Sequence, residues 1–225
     1  CQYVSILTNP VDRALLQRYR DMGIKMISTR TVGYDHIDLA SAKEFGVGVS
    51  NATYPSESVA EYTVMCILMA LRRMKRILER AAINDFSLKG NMGGVLSGKT
   101  VGIVGAGRIG CQVARLLQGF GCRVLAYDLH PRADMEGLLT YVGFEELLCE
   151  SQVVTLHMPI GEQNTHMIDA AALGKMPKGV VIVNTARGGL IDTKALIAAL
   201  ESGQVGAAAM DVIEGEFDMY YFDRK

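Results

Sequence analysis

The chain has no tryptophan, few prolines and no apolar stretch of membrane-spanning length. Its longest apolar run, Val64 to Leu71, holds eight residues, whereas a helix needs about 20 to cross a bilayer. No basic start followed by an apolar core announces a signal peptide. Charge of one sign is missing too. With 23 basic against 24 acidic residues, no net field selects nucleic acid or a membrane surface, and neither is expected as a partner. The five cysteines (Cys1, Cys66, Cys111, Cys122 and Cys149) are odd in number, scattered and free of any CxxC pair. That speaks against a disulfide framework and gives no reason to expect a metal. It predicts reduced, mostly buried thiols in a cytoplasmic protein.

What is present is ordinary globular material. Hydrophobic residues make up 49% and charged residues 21% of 225 positions, enough for a sizeable core in one large domain or two small ones. One stretch stands out. Thr100 to Val104 is a short apolar run, followed by the glycine pattern of Gly105, Gly107 and Gly110 and a helical pattern over 111–120. A second apolar run, Arg123 to Tyr127, ends in Asp128. Strand, tight turn, helix, strand and acid form the context that a dinucleotide fingerprint requires. Gly105 permits the turn, Gly107 lets the backbone approach a pyrophosphate, and Gly110 lets helix and strand pack closely. The phosphates then meet N–H groups at the helix N-terminus. Asp128 is placed to accept hydrogen bonds from ribose hydroxyls and to repel a 2′-phosphate, which favours NAD over NADP; Arg132, close by, softens that preference.

The chain ahead of this motif has a β–α–β–α–β rhythm, with strands expected at 3–7, 24–28 and 47–50. Helices are expected from Pro10 to Gly23 and over 37–45. Such a rhythm argues for parallel strands with crossover helices. Tyr54 to Ser58 reads as a helix entry with capping hydroxyls, and one long helix is expected over 56–80. Its first half is apolar on most faces and predicts burial against the body or a partner subunit. Its second half carries Arg72, Arg73, Lys75, Arg76 and Arg80, read as a solvated face rather than a binding patch. Residues 84–98 and 129–142 read as loops. Strands follow at 153–156, 180–184 and 205–212, and helices at 144–149, 169–173 and 193–202. The tail from Glu214 to Lys225 shows no packed element.

In an open parallel sheet, ligands gather beyond the C-terminal strand ends. Those ends carry Met158 and Pro159, Thr185 to Arg187, and Asp211 onward. The Arg187 guanidinium, in a glycine-rich turn past a buried strand, can pair bidentately with a carboxylate or form an interface salt bridge. Asp211 and Glu216 can orient a cofactor amide or a histidine, or be solvated tail charge.

Taken together, several stretches carry a family resemblance. They are Ser28–Leu39, Asn51–Glu61, Val101–Gly110, Thr155–Pro159, Asn184–Asp192 and Ala209–Glu216. The chain resembles the D-isomer-specific 2-hydroxyacid dehydrogenases, and within them the D-lactate dehydrogenase branch with its vancomycin-resistance and 2-hydroxyisocaproate or aryl-lactate relatives. Tyr54-Pro55 stands where phosphoglycerate dehydrogenases usually have Gly-Asn. The resemblance implies an α/β fold: a Rossmann-type doubly wound parallel sheet over 55–225, including the linking helix, and part of a flavodoxin-like substrate domain over 1–54. It implies NAD as cofactor, a small 2-oxo or 2-hydroxy acid as substrate, and a homodimer.

Position by position, it implies that Arg108 and Ile109 sit over the pyrophosphate and that Asp128 takes the ribose. Met158, Pro159 and Asn164 line the cofactor groove, with Thr185, Ala186, Arg187 and Asp211 near the nicotinamide. Arg187 binds the 2-oxo acid and polarises its carbonyl, Glu216 pairs with a catalytic histidine, Val32 and Gly33 offer N–H groups to the substrate carboxylate, and Tyr54 faces the pocket. The family's proton-donating histidine lies a few tens of residues beyond the Asp211–Glu216 pair, past Lys225. None of His36, His130, His157 or His166 is expected to replace it, His157 because it lies on the cofactor side and His130 and His166 because they read as surface residues. The chain is therefore expected to be part of a longer protein. Tyr54-Pro55-Ser56 also departs from the family's usual Tyr-Ser-Pro. Two alternatives remain: an NAD-binding module without turnover, and another dehydrogenase of the superfamily acting on glyoxylate, formate or phosphoglycerate.

Overall fold

The computed structural model describes residues 1–216; the tail beyond Glu216 lies outside them. The chain divides into two compact units, Cys1–Pro55 and a second beginning at Ser56.

The first unit holds β1 (Tyr3–Ile6), α1 (Arg13–Asp21), β2 (Met26–Thr29), α2 (Leu39–Glu44) and β3 (Gly48–Asn51). The strands form a parallel sheet in the order β1-β2-β3. Ile6, Val11, Leu16, Ile27, Ile37, Ala42 and Val47 make its core. Pro10 does not open the first helix as expected. Val11 bridges Ile37 instead, and Asp12 caps α1 by accepting from the Leu15 N–H at 2.8 Å. A carboxylate at the cap satisfies an N–H that proline cannot.

The second unit begins with α3 (Glu57–Leu71) and α4 (Met74–Ala82). These were expected as one helix, and the break has a physical cause twenty residues away. The Gly94 N–H takes the Leu71 carbonyl at 2.8 Å. Gly93 passes so close that a Cβ there would lie 2.6 Å from that oxygen. The helix stops, and Arg73 turns to a left-handed φ of 55°. The expected capping hydroxyl is absent too, since Ser56 makes no side-chain cap bond. On α4 and the segment after it, Arg80 binds Asp85, Ser87 and the Lys89 carbonyl, so the basic stretch is in part internally paired.

Then come β4 (Thr100–Val104), α5 (Arg108–Leu117), β5 (Arg123–Tyr127), β6 (Thr140–Tyr141), α6 (Phe144–Glu150) and β7 (Val153–Leu156). They are followed by α7 (Ala170–Lys175), β8 (Val180–Asn184), α8 (Thr193–Glu201) and β9 (Val205–Met210). All six strands are parallel, in the order β6-β5-β4-β7-β8-β9. Renumbered within the unit, that is 3-2-1-4-5-6, the doubly wound dinucleotide-binding order. Strand β6 was expected as loop. Its two residues, Thr140 and Tyr141, both favour strands but are too few to show a period, and the buried Met135 and Leu139 lie in the segment that leads to the sheet edge.

The alternation of side chains across the strands makes two cores. One packs Ala60, Val64, Ile67, Val113, Ala114 and Leu117 of α3 and α5 against one face. The other packs Leu147, Leu148, Leu173, Leu196 and Ala199 of α6, α7 and α8 against the opposite face. Strands β7 and β8 are buried throughout, as expected for parallel strands covered on both sides. Among the described residues, no helix is long and apolar enough to cross a membrane.

Candidate functional site

Chain order reverses between β4 and β7, and the loops leaving these neighbours diverge to open a crevice. Gly105, φ +94°, makes the turn after β4. A Cβ on it would lie 2.9 Å from the His157 backbone at the end of β7. Gly110 sits so deep that a Cβ would lie 2.1 Å from the Gly105 carbonyl oxygen and 3.1 Å from Ile103. Gly107 is the opposite case: nothing lies within 4 Å of its would-be Cβ. It caps α5 with no side-chain bond. The first intrahelical bond runs from Cys111 to the Gly107 carbonyl, so the N–H groups before Cys111 have no partner within the helix. Arg108 is exposed beside them and Ile109 is half-buried.

At the end of β5, one Asp128 oxygen accepts from the Ala106 N–H at 2.7 Å and the other from the His130 N–H at 2.8 Å. The carboxylate thus ties the glycine turn to the next strand. Its remaining lone pairs can accept further hydroxyls. Arg132 is engaged by Asp134 through two bonds of 3.0 and 2.9 Å.

Across the crevice, Met158 packs on the core and Pro159 is exposed. Asn164 uses both ends of its amide on this loop, donating to the Pro159 carbonyl and accepting from the Gly161 N–H. His157 bonds Thr155 at 3.0 Å. Burial pushes its pKa down to about 3, so it holds no proton near neutrality.

The turn after β8 is built by side chains. Asn184 is fully buried. Its amide donates to the Arg187 carbonyl at 2.9 Å and accepts from the Ala186 N–H at 3.0 Å, while its own carbonyl accepts from the Asp211 N–H. Thr185 reaches Thr63 on α3, oxygen to oxygen 2.9 Å. Since the buried Thr63 hydroxyl donates to the Val59 carbonyl, Thr185 must donate to Thr63. Arg187 lies half-buried, one guanidinium nitrogen donating to the Ala186 carbonyl at 2.7 Å. The Asp211 carboxylate, then the Cys66 thiol, pushes the Tyr62 phenol up, which places a phenol from α3 at the end of β9. Burial raises the Cys66 thiol. The sequence reading missed Thr63 and Tyr62, whose helical spacing reads only as packing.

Glu216 accepts from the Ile213 N–H at 2.9 Å, closing a turn. His166 is exposed, as expected, and pairs with Glu214 at 2.5 Å. In the first unit, the Val32 carbonyl accepts from the Asn51 amide and the Gly33 carbonyl from the Thr31 hydroxyl; Tyr54 is exposed.

Residues 64–220 match the model of the D-isomer specific 2-hydroxyacid dehydrogenase, NAD binding domain. The chain belongs to that family. Within it, the D-specific alpha-keto acid dehydrogenase of Enterococcus faecium is 43% identical over 213 residues, covering 95% of the chain and 65% of the relative. The D-lactate dehydrogenase of Escherichia coli is 39% identical over 227 residues, covering all of the chain and 69% of the relative. A crystal structure of D-lactate dehydrogenase from Aquifex aeolicus, complexed with NAD and lactic acid, superposes with a TM-score of 0.92 at 36% identity, over all of the chain and 69% of that structure. These place it in the D-lactate dehydrogenase branch. The chain spans about two thirds of the length of these relatives.

The dinucleotide cradle of a D-2-hydroxyacid dehydrogenase fits this geometry. Gly107 leaves open the space that a pyrophosphate needs, an uncapped helix N-terminus carries positive potential there, and Asp128 stands at the neighbouring strand end.

Proposed function

We propose that this chain forms the NAD-binding unit, and part of the substrate domain, of an enzyme that reduces a small 2-oxo acid to a D-2-hydroxy acid. The observation that carries this reading is Arg187, set at the end of β8 by the buried Asn184, in the same sheet as β4, which carries the glycine cradle and is separated from β8 by β7 alone. Gly105, Gly107 and Gly110 shape the cradle, with Arg108 and Ile109 at its rim. Asp128 binds the adenosine ribose and disfavours a 2′-phosphate, so NAD is the cofactor. Bound NADH supplies the hydride. Met158, Pro159 and Asn164 form one wall, and Thr185, Ala186 and Asp211 the nicotinamide end. Arg187 pairs with the oxo acid and stabilises the negative charge that develops on its carbonyl oxygen. Glu216 raises the pKa of a histidine proton donor in the whole protein. Val32 and Gly33 bind the substrate carboxylate, and Tyr54 borders its side chain. The names of the Enterococcus and Escherichia relatives support this substrate class.

We further infer a homodimer built on α3, whose Tyr62, Met65 and Met69 are exposed. A groove of about 550 Å³, lined by Val64, Met65, Leu68, Met69, Leu116 and Phe120 among others, runs beside them. The cytoplasmic location rests on five cysteines that are all free.

A second reading is a module that binds NAD without turnover, since the cradle of Gly105, Gly107 and Gly110 with Asp128 uses none of the residues assigned to the oxo acid. NADH binding and NADH oxidation, measured on the full-length protein with a panel of 2-oxo acids, separate the two. Oxidation with at least one oxo acid, by a protein of dimeric mass in sedimentation, is the expected result. Binding without oxidation of NADH by any of them selects the module, and a monomer removes the interface.

A further inference from the structure

Three residues with no part in the reading above converge at one point of the second unit. His166 follows Asn164 in the loop between β7 and α7. Thr193 opens α8. Glu214 follows β9. One Glu214 oxygen meets His166 Nε2 at 2.5 Å. The other accepts from the Thr193 hydroxyl at 2.6 Å and from the Thr193 N–H at 3.2 Å. His166 holds a left-handed φ of 55°, uncommon for a side chain-bearing residue, and its N–H bonds the Gly189 carbonyl at 2.8 Å. Next to Arg187, Gly188 lies flat against the same segment, where a Cβ would stand 2.1 Å from the Ile213 carbonyl carbon. Glu214 is thus where the cofactor-side loop, the Arg187 turn and the segment after β9 meet. It is also the second residue of the turn 213–216, which Glu216 closes on Ile213 and in which Gly215 has a φ of +71°.

We propose that His166, Glu214 and Thr193 form a latch that fixes the segment 211–216 against the Arg187 turn and so positions Glu216. They are positioning residues, and the part of this inference that concerns turnover rests on the dehydrogenase reading. An exposed ion pair alone contributes little. Here the carboxylate accepts from three donors and sits at the positive end of α8, so the geometry of the turn depends on it. The latch is polarised on both sides. The Thr193 hydroxyl, and then His166, holds Glu214 down at a pKa of about 2. Glu214 in turn raises His166, with Asp192 adding in the same direction. Among the described residues, these are the charged groups that act on the pair. The Glu214 contribution is complete above its ordinary 4.5 and is lost as pH falls toward 2. The His166 contribution is complete below its ordinary 6.5 and is lost as pH rises through the raised value. The latch is therefore tightest between about pH 4.5 and 6.5, and it loosens both as pH falls toward the lowered Glu214 value and as it rises through the raised His166 value.

Amide exchange of 211–216 in the full-length protein tests this without reference to turnover. Glu214→Ala should accelerate exchange there about tenfold or more, and His166→Asn, which tolerates the left-handed backbone, by several-fold and mainly below the His166 titration. Glu214→Gln, which can still accept from Thr193, should recover part of the protection. Should Glu214→Ala not fold, Thr193→Val reads the same segment by removing one side-chain donor. In the oxo-acid assay, Glu214→Ala should lower kcat more than it changes the NADH dissociation constant, and should shift the pH profile. Unchanged exchange in folded Glu214→Ala overturns the latch. Faster exchange with an unaltered pH profile and kcat overturns the positioning of Glu216. If the unmodified protein oxidises NADH with no oxo acid, the dehydrogenase reading fails while the exchange result still decides the latch.

Discussion

Two turns at the C-terminal edge of the same sheet are built in opposite ways. The turn after β4 is made of what is missing. Gly105, Gly107 and Gly110 have no side chains, and at two of them a single methyl would strike backbone at 2.9 and 2.1 Å. The turn after β8 is made of side chains. Asn184 binds both the Ala186 N–H and the Arg187 carbonyl within it, Thr185 anchors it to α3, and Arg187 projects from it. On the proposed function, the difference follows from the task. A pyrophosphate is satisfied by any row of N–H groups brought close enough, so the first turn must admit close approach. An oxo acid needs one charged group in one orientation, so the second turn must hold a side chain still.

The sharpest way to break that contrast is Arg187→Lys. Lysine keeps the charge and loses the planar fork. Turnover with the oxo acid should fall about 100- to 1,000-fold, as for the loss of one transition-state donor, while NADH affinity stays within about threefold, since the cradle is untouched. Near-normal turnover in steady-state assays would remove Arg187 from the reaction.

The glycine turn offers a paired test of smaller effect. Gly110→Ala forces a methyl onto the Gly105 carbonyl, a backbone clash at or above the roughly 1–3 kcal/mol usual for overpacking. Both thermal stability and NADH affinity should drop. Gly107→Ala meets open space and should leave stability within about 1 kcal/mol, near the limit for a cap substitution, while NADH affinity falls about tenfold because the methyl enters the phosphate's approach. Should Gly107→Ala bind NADH as the unmodified protein does, the cradle has been placed on the wrong face of the turn.

The same contrast explains what could be read from sequence. The glycine turn is local: six residues and two flanking strands specify it, and strand, turn, helix and Asp128 stand where the pattern puts them. The Asn184 turn is only half local. Arg187 is visible as a cation in a glycine-rich strand end, but Thr63 lies 122 positions from Thr185 and shows no more than a helical spacing. His166 and Glu214 are both exposed, but 48 residues apart neither gives any sign of pairing with the other. The break between α3 and α4 was hidden for the same reason, since Gly93 and Gly94 act on Leu71 across a loop. Strand β6 has two residues, too few for any period to register. Period and turn chemistry are written within a window of residues, whereas a hydrogen bond between distant elements is written only in their packing.

Thr63→Val is the finest probe of the side-chain-built turn. Valine matches threonine in shape, so the buried site keeps its packing. The Val59 carbonyl keeps its helical partner, and what goes is the acceptor for the Thr185 hydroxyl. A neutral hydrogen bond of this kind contributes about 0.5–1.5 kcal/mol, and the urea midpoint should fall accordingly. Thr185 is two residues from Arg187, so kcat should fall with it, by about two- to fivefold if half to all of a central value of about 1 kcal/mol reaches the transition state. Thr63→Ser, which keeps the hydroxyl and loses a methyl, should reverse the pattern: stability drops through the small cavity while kcat is retained. If both variants lose stability but neither loses rate, Thr63 is packing alone, and Asn184 holds the turn without help from α3.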